Sequence, residues 1–165
     1  MMPDETDVNE VTPIENGEET TPAVTGETTV TLVESIRALL VDAGITNAFI
    51  IDAPESTLDD GAVVIIPYSS ESDEYLPIGT QYFQVRAAAA TFPASESLCW
   101  EAFHALVDHV PEGADRRPLS GIAARQEPFF LGKDGARYVH EFNVQITAQW
   151  KETEGVENNV NDEGI

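Results

Sequence analysis

His104, His109 and His140 are the side chains of this chain best suited to hold a metal or move a proton, and their spacing serves neither task. His104 and His109 stand five apart in a helical stretch, so they do not share a face as i, i+4 ligands would, and His140 lies on a distant strand. Asp59-Asp60 and the trio Glu71, Asp73 and Glu74 carry oxygens that suit a hard cation. Neither group has the ordered alternation of a calcium loop, and solvated acidic loops are the expectation for both. Gly132-Lys133-Asp134-Gly135 combines glycines with a lysine but lacks the spacing and the following helix of a phosphate loop, so it reads as a hairpin turn. No serine sits in a nucleophile-elbow context. Cys99, the single cysteine, falls on an apolar helix face and reads as a packed thiol with no partner for an intrachain disulfide. The expectation is a protein that is not an enzyme, with no catalytic residue, cofactor or metal.

The chemistry that remains is that of contact. Beside 30 acids, Arg86, Arg125 and Arg137 are each most simply the partner of a local carboxylate. The alternative is a bidentate contact to an acidic neighbouring subunit, which the planar guanidinium fork suits. Arg116-Arg117, in a loop before Pro118, read as a subunit or partner contact. Lys133, the one lysine between residues 29 and 150, joins these candidates. Phe129 and Phe130 are adjacent and cannot both face one core, so one is expected inside and the other as an interface anchor.

The element that must carry most of these residues is the strongest pattern in the chain. From Tyr138 to Trp150 the residues alternate with a period of two: Tyr138, His140, Phe142, Val144, Ile146, Ala148 and Trp150 on one side, Val139, Glu141, Asn143, Gln145, Thr147 and Gln149 on the other. Strand side chains point alternately to opposite faces, so Ala136–Trp150 is expected to bury one face and present a polar one. Upstream, Thr31 and Glu34 fit a capping box that opens a helix over Thr31–Ala43, closed by Gly44. Ala48–Ile51 and Ala62–Pro67 read as short strands, residues 68–80 as an acidic loop, and Gln81–Ala90 as a further strand. Thr91-Phe92-Pro93 opens a second helix with Leu98, Ala102, Leu106 and Val110 on one face. Leu119–Gln126 is expected as a strand and Pro128–Gly135 as its connection to the long strand. The fold class is α+β: an antiparallel or mixed sheet of about four to five strands packed by two helices.

Composition divides the chain further. Residues 1–28 and 151–165 are acidic and poor in apolar residues, and are expected as tails that order only against a neighbouring subunit. Residues 29–150 form the expected single core domain. The net charge is −22, and the core alone keeps seventeen acids against seven bases. Such a surface repels phosphates, which argues against tight direct binding to nucleic acid. Many acids with few lysines is also the balance of proteins from high-salt cytoplasm, so a halophilic source is expected. No basic region followed by an apolar run opens the chain, and no apolar stretch approaches the ~20 residues that cross a bilayer, so neither a secretory leader nor a membrane partner is expected.

Several segments together resemble a known family. They are the helix SIRALLVDAGI, the strand VVIIPY, the strand QYFQVRAAAA and the helix SESLCWEAFHALVDHV, followed by ARQEPFFLGKDGARYVHEFNVQI. The last is similar to the Q-x-P-x-x-[LI]-G-[RK]-D-x-x-x-[RY] hairpin and final strand of the small tail-terminator, minor capsid or tail-completion proteins of tailed bacteriophages and archaeal viruses. The resemblance covers about residues 30–150. It implies a structural virion protein forming a homo-oligomeric, hexameric ring at the head-proximal end of the tail. Its partners would be further copies of itself, the tail tube protein and the head–tail connector, with genomic DNA only passing through the lumen. Two other readings remain open: a head-completion or adaptor ring on the portal side, and an acidic soluble binding module that mimics nucleic acid. The last would want carboxylates spaced like phosphates, whereas here they gather in loops and tails.

Overall fold

The structure, a computed structural model, describes residues 30–112, 114 and 116–150. The tails expected at 1–28 and 151–165 therefore lie outside the described residues.

Helix α1 (Leu32–Asp42) starts where its capping box predicts. The Glu34 amide donates to the Thr31 hydroxyl, while the Thr31 amide donates to the Glu34 carboxylate at 2.7 Å. Gly44, at φ 95°, takes the left-handed turn that releases the chain after the helix. Strand β1 (Ala48–Ile50) follows and runs parallel to β2 (Ala62–Ser72). The link between them holds a one-turn helix, α2 (Glu55–Leu58), inside what the sequence marks as a polar turn. β2 and β3 (Ile78–Ala89) form a long antiparallel hairpin with a bulge at Tyr68. The expected loop at 68–80 is thus strand up to Ser72 and again from Ile78, because β2 and β3 go on pairing beyond the part that the core covers.

Helix α3 (Phe92–Leu106) begins at Thr91, whose hydroxyl accepts from the Ala94 amide, with Pro93 in the first turn. It stops earlier than the apolar spacing suggests: Val107 leaves the helical region and Val110 is exposed. The chain is instead held here by a seam in which the Asp108 amide donates to Ile122 and the Ile122 amide to His109.

The sheet is mixed and six-stranded, in the order β1-β2-β3-β6-β4, with β5 also on β6. β6 (Arg137–Trp150) is the long two-faced strand. One edge of β6 pairs with β3 along its length, and the other takes β4 (Arg116–Pro118) and β5 (Ala123–Asp134) end to end. β5 extends through Pro128–Asp134, read above as a connection, by accepting three register shifts against β6. Such bulges tolerate a proline and a glycine in an edge strand. The hairpin loop is only Gly135-Ala136, with Gly135 at φ 59° where a two-residue loop needs a positive value. Gly132, at φ 145°, serves a bulge instead of the turn.

α1 and α3 pack on one face of this sheet. Leu32, Ile36 and Leu40 from α1 and Cys99, Ala102 and Leu106 from α3 meet Val63, Ile65, Phe83, Val85, Phe142, Val144 and Ile146. Each buried aliphatic or aromatic side chain contributes ~1.5–3 kcal/mol, so this layer holds the fold. Burial pushes the Cys99 thiol up to about 12, which keeps it protonated and inert.

Candidate functional site

With both longer helices on one side, the opposite face of β2, β3, β6 and β5 carries the polar half of each alternation. The registers Thr80↔Thr147, Tyr82↔Gln145, Gln84↔Asn143 and Arg86↔Glu141 line these side chains up in rows across the strands. Each row is bonded. The Thr80 and Thr147 hydroxyls meet at 2.9 Å. Arg125 reaches from β5 to donate to Gln145 at 3.0 Å, and its guanidinium lies 5.4 Å from the centre of the Tyr82 ring. Asn143 donates to Gln126 at 2.9 Å. Glu141, almost fully buried, accepts from Gln84 at 3.0 Å and from Arg86 Nε at 3.1 Å. A carboxylate taken out of water needs such partners.

At the end of this face where β5 turns into β6, the α1-distal link between β1 and β2 crosses towards the hairpin. Arg137 holds it, donating to Asp59 at 2.7 Å and pairing with Glu55 at 2.8 Å. These carboxylates raise the Arg137 guanidinium above its ordinary value, with the Asp59 hydrogen bond as the largest cause. Between link and hairpin lies a groove of about 410 Å³ floored by Val64, Ile66, Ala88 and Val139. Ile51 stands on its rim at φ 70°, a conformation that a β-branched residue adopts only under strain.

The candidate contact residues thus fall in different places. Arg86, Arg125 and Arg137 all find partners within the chain, Arg86 and Arg137 on carboxylates and Arg125 on an amide and a ring. Arg116 and Arg117 lie on β4 opposite Trp150 and Gln149, with Arg117 exposed. Phe129 and Phe130 point to opposite faces, as adjacent strand residues must. Phe129 is half-buried opposite Glu141, and Phe130 lies beside Phe92 (5.1 Å) and His140 (5.2 Å) on the helix side while remaining exposed. The Lys133 ammonium sits 4.3 Å from the centre of the Tyr138 ring.

One buried pair escaped the sequence reading. The Ser95 hydroxyl, inside the first turn of α3, lies 2.7 Å from His140 Nδ1 and 3.1 Å from the Phe92 carbonyl, which accepts from it. His140 Nδ1 thus has Ser95 as its partner, whereas Nε2 is buried without one among the described residues. Burial lowers the His140 pKa from its ordinary value, with Glu96 pulling less strongly the other way. Ser95 is fully buried, so this is packing and not a nucleophile offered to solvent. His104 stacks on Trp100 and His109 bonds the Val107 carbonyl, far from it. Among the described residues, no three His, Cys, Asp or Glu gather as a metal site, and no helix is long and apolar enough to cross a membrane. No sequence signal pairs Ser95 with His140, because 45 residues separate them.

The sequence model of one protein family, described as "Bacteriophage tail terminator protein", matches residues 23–150. No curated protein matches the chain. Among solved structures, a chain of the "Virion of native gene transfer agent (GTA) particle" is similar in fold, with a TM-score of 0.52 at 14% identity, over 78% of this chain and 99% of that one.

Proposed function

Because the chain belongs to the bacteriophage tail terminator family, and so is a structural protein of the virion tail, we propose that it forms a ring closing the head-proximal end of the tail. In this reading the ring is hexameric, caps the tail tube and docks onto the head connector, and genomic DNA passes through its lumen. The observation that carries it is the helix-free face. Its polar side chains are already bonded to one another in rows, so a neighbour meets a surface that has little conformational freedom left to lose. Charge supports the same reading. A core with seventeen acids and seven bases repels a polyanion, so DNA slides past without sticking.

The proposed contact residues are Arg116, Arg117, Arg125, Phe129, Phe130 and Lys133, with Arg86 and Arg137 shaping the surface from their internal pairs. The test is cryo-electron microscopy of the particle with a tag on this chain. The expected result is a labelled ring between tail tube and connector. A label on the portal side of the connector would favour the adaptor reading, and absence from the neck would end both.

A further inference from the structure

Apolar exposure on this molecule concentrates at the two ends of the sheet. At one end the β2–β3 hairpin projects beyond the helices, and its connection carries Tyr75 at 86% and Leu76 at 56% exposure. An aromatic so exposed is not there for this chain's own core. The tip is nonetheless ordered: the Tyr75 and Leu76 amides both donate to Asp73 Oδ1 at 2.8 Å, and the Asp73 amide donates to the Ile78 carbonyl. At the other end lies the groove floored by Val64, Ile66, Ala88 and Val139, with Ile51 (67% exposed) and Leu131 (47%) on its rim.

Charge must be screened for the two ends to meet. Glu71, Asp73 and Glu74 surround the tip. Arg86 and Lys133 border the groove, but the Lys133 ammonium lies over the Tyr138 ring on the helix side of β6. Arg86 bonds Glu141 through Nε and keeps 42% of its side chain exposed. Asp52 and Asp134 border the groove too, and Arg86 is already paired with Glu141, so the groove keeps some acid of its own and its fit to the tip is apolar. Screening by salt removes the repulsion that remains between tip and groove.

We infer that the Tyr75–Leu76 tip of one copy seats in this groove of the next copy, as the contact that closes the ring. The inference rests on the ring reading above and names the surfaces it uses. Tip and groove lie ten residues apart along β3, roughly 30 Å at strand rise, so one copy cannot fill its own groove. Knob and groove are different patches at opposite ends, the arrangement a head-to-tail contact requires, and a fixed rotation between copies closes it into a ring. The groove volume of about 410 Å³ lies within the ~300–1,000 Å³ typical of sites that enclose an inserted group.

The test uses the full chain in molar salt. Tyr75→Asp together with Leu76→Asp removes the knob and Leu131→Asp spoils the groove; all three sites are exposed, and circular dichroism checks that each variant folds. Light scattering over a concentration series reads association. Each variant alone should need at least about tenfold more protein to associate than the parent, the effect of losing a central apolar contact. Mixed in equal amounts, they should form dimers and nothing larger, since each supplies the one patch the other lacks. If the parent forms rings and either variant does so equally well, or if the mixture stays monomeric, this contact is wrong while the ring reading stands. A parent that stays monomeric throughout overturns the contact, and the labelled particle then decides the ring reading separately.

Discussion

Arg86 and Glu141 face each other across β3 and β6 with unequal burial, the arginine side chain 42% exposed and the glutamate 6%. That inequality sets which substitution costs more. Glu141→Ala leaves a guanidinium that water can solvate, and should cost about 1 kcal/mol. Arg86→Ala leaves a buried carboxylate with Gln84 as its one remaining side-chain donor, and should cost about 2–3 kcal/mol. Urea unfolding of the two variants checks the order, and the reverse order would show that the buried carboxylate draws its support from elsewhere. His140 gives a second residue-scale expectation. Its folded pKa lies below the ordinary 6.5, chiefly through burial. The unfolded chain therefore takes up a proton first as pH falls, and the folded state loses stability from about pH 6.5 downward, at up to ~1.4 kcal/mol per pH unit, until the folded histidine also titrates. Thermal melts between about pH 7.5 and 5 should show a steeper acid loss for the parent than for His140→Gln. Parallel curves would mean that His140 takes no part in the acid response.

At the scale of elements, the seam between the end of α3 and the start of β5 is a close backbone join. A Cβ on Gly121 would stand 2.8 Å from the Asp108 carbonyl oxygen and 3.0 Å from its carbon, both backbone atoms that no side-chain rotation can move. Asp108 itself is held at φ 67°. Gly121→Ala should therefore cost about 1–3 kcal/mol by forcing the α3 exit away from β5, measurable as a lower urea midpoint with helix content retained. A midpoint equal to the parent's would mean the seam gives way freely. Much of the element list was legible, and for local reasons. The Thr31–Glu34 box, the Thr91-Phe92-Pro93 start and the period of two in β6 are patterns within one segment. The strand through Pro128–Asp134 was not legible, since its proline and glycine read as a connection. What makes it a strand is the neighbouring β6, against which three bulges absorb the misfit.

For the whole molecule, a net charge of −22 on 165 residues is a self-repulsion that counter-ions must screen. The melting temperature should rise by at least about 5 °C between 0.1 M and 2 M potassium chloride, with association strengthening in parallel. Equal melting temperatures at the two concentrations would separate this acidity from any adaptation to salt. The same repulsion acts between copies, so contacts between them must be apolar or locally neutral. The Tyr75–Leu76 pair and the groove floor of Val64, Ile66, Ala88 and Val139 supply the apolar part of such a contact, and salt must screen the acids around them.

By itself the sequence determined the class of the fold, the two longer helices, and the fact that the final strand has a buried face and a polar one. Those properties follow from side-chain periodicity and capping, which act within a dozen residues. It also marked Arg86, Arg125 and Arg137 as residues that need partners, without saying which. Only the tertiary structure decided that Arg86 meets Glu141, that Arg125 lies against Tyr82, that Ser95 finds His140, and that an apolar groove opens between the β1–β2 link and the β5–β6 hairpin. Each depends on the register between strands far apart in the chain. Register is set by the packing of the whole sheet against its helices, and no single segment encodes it.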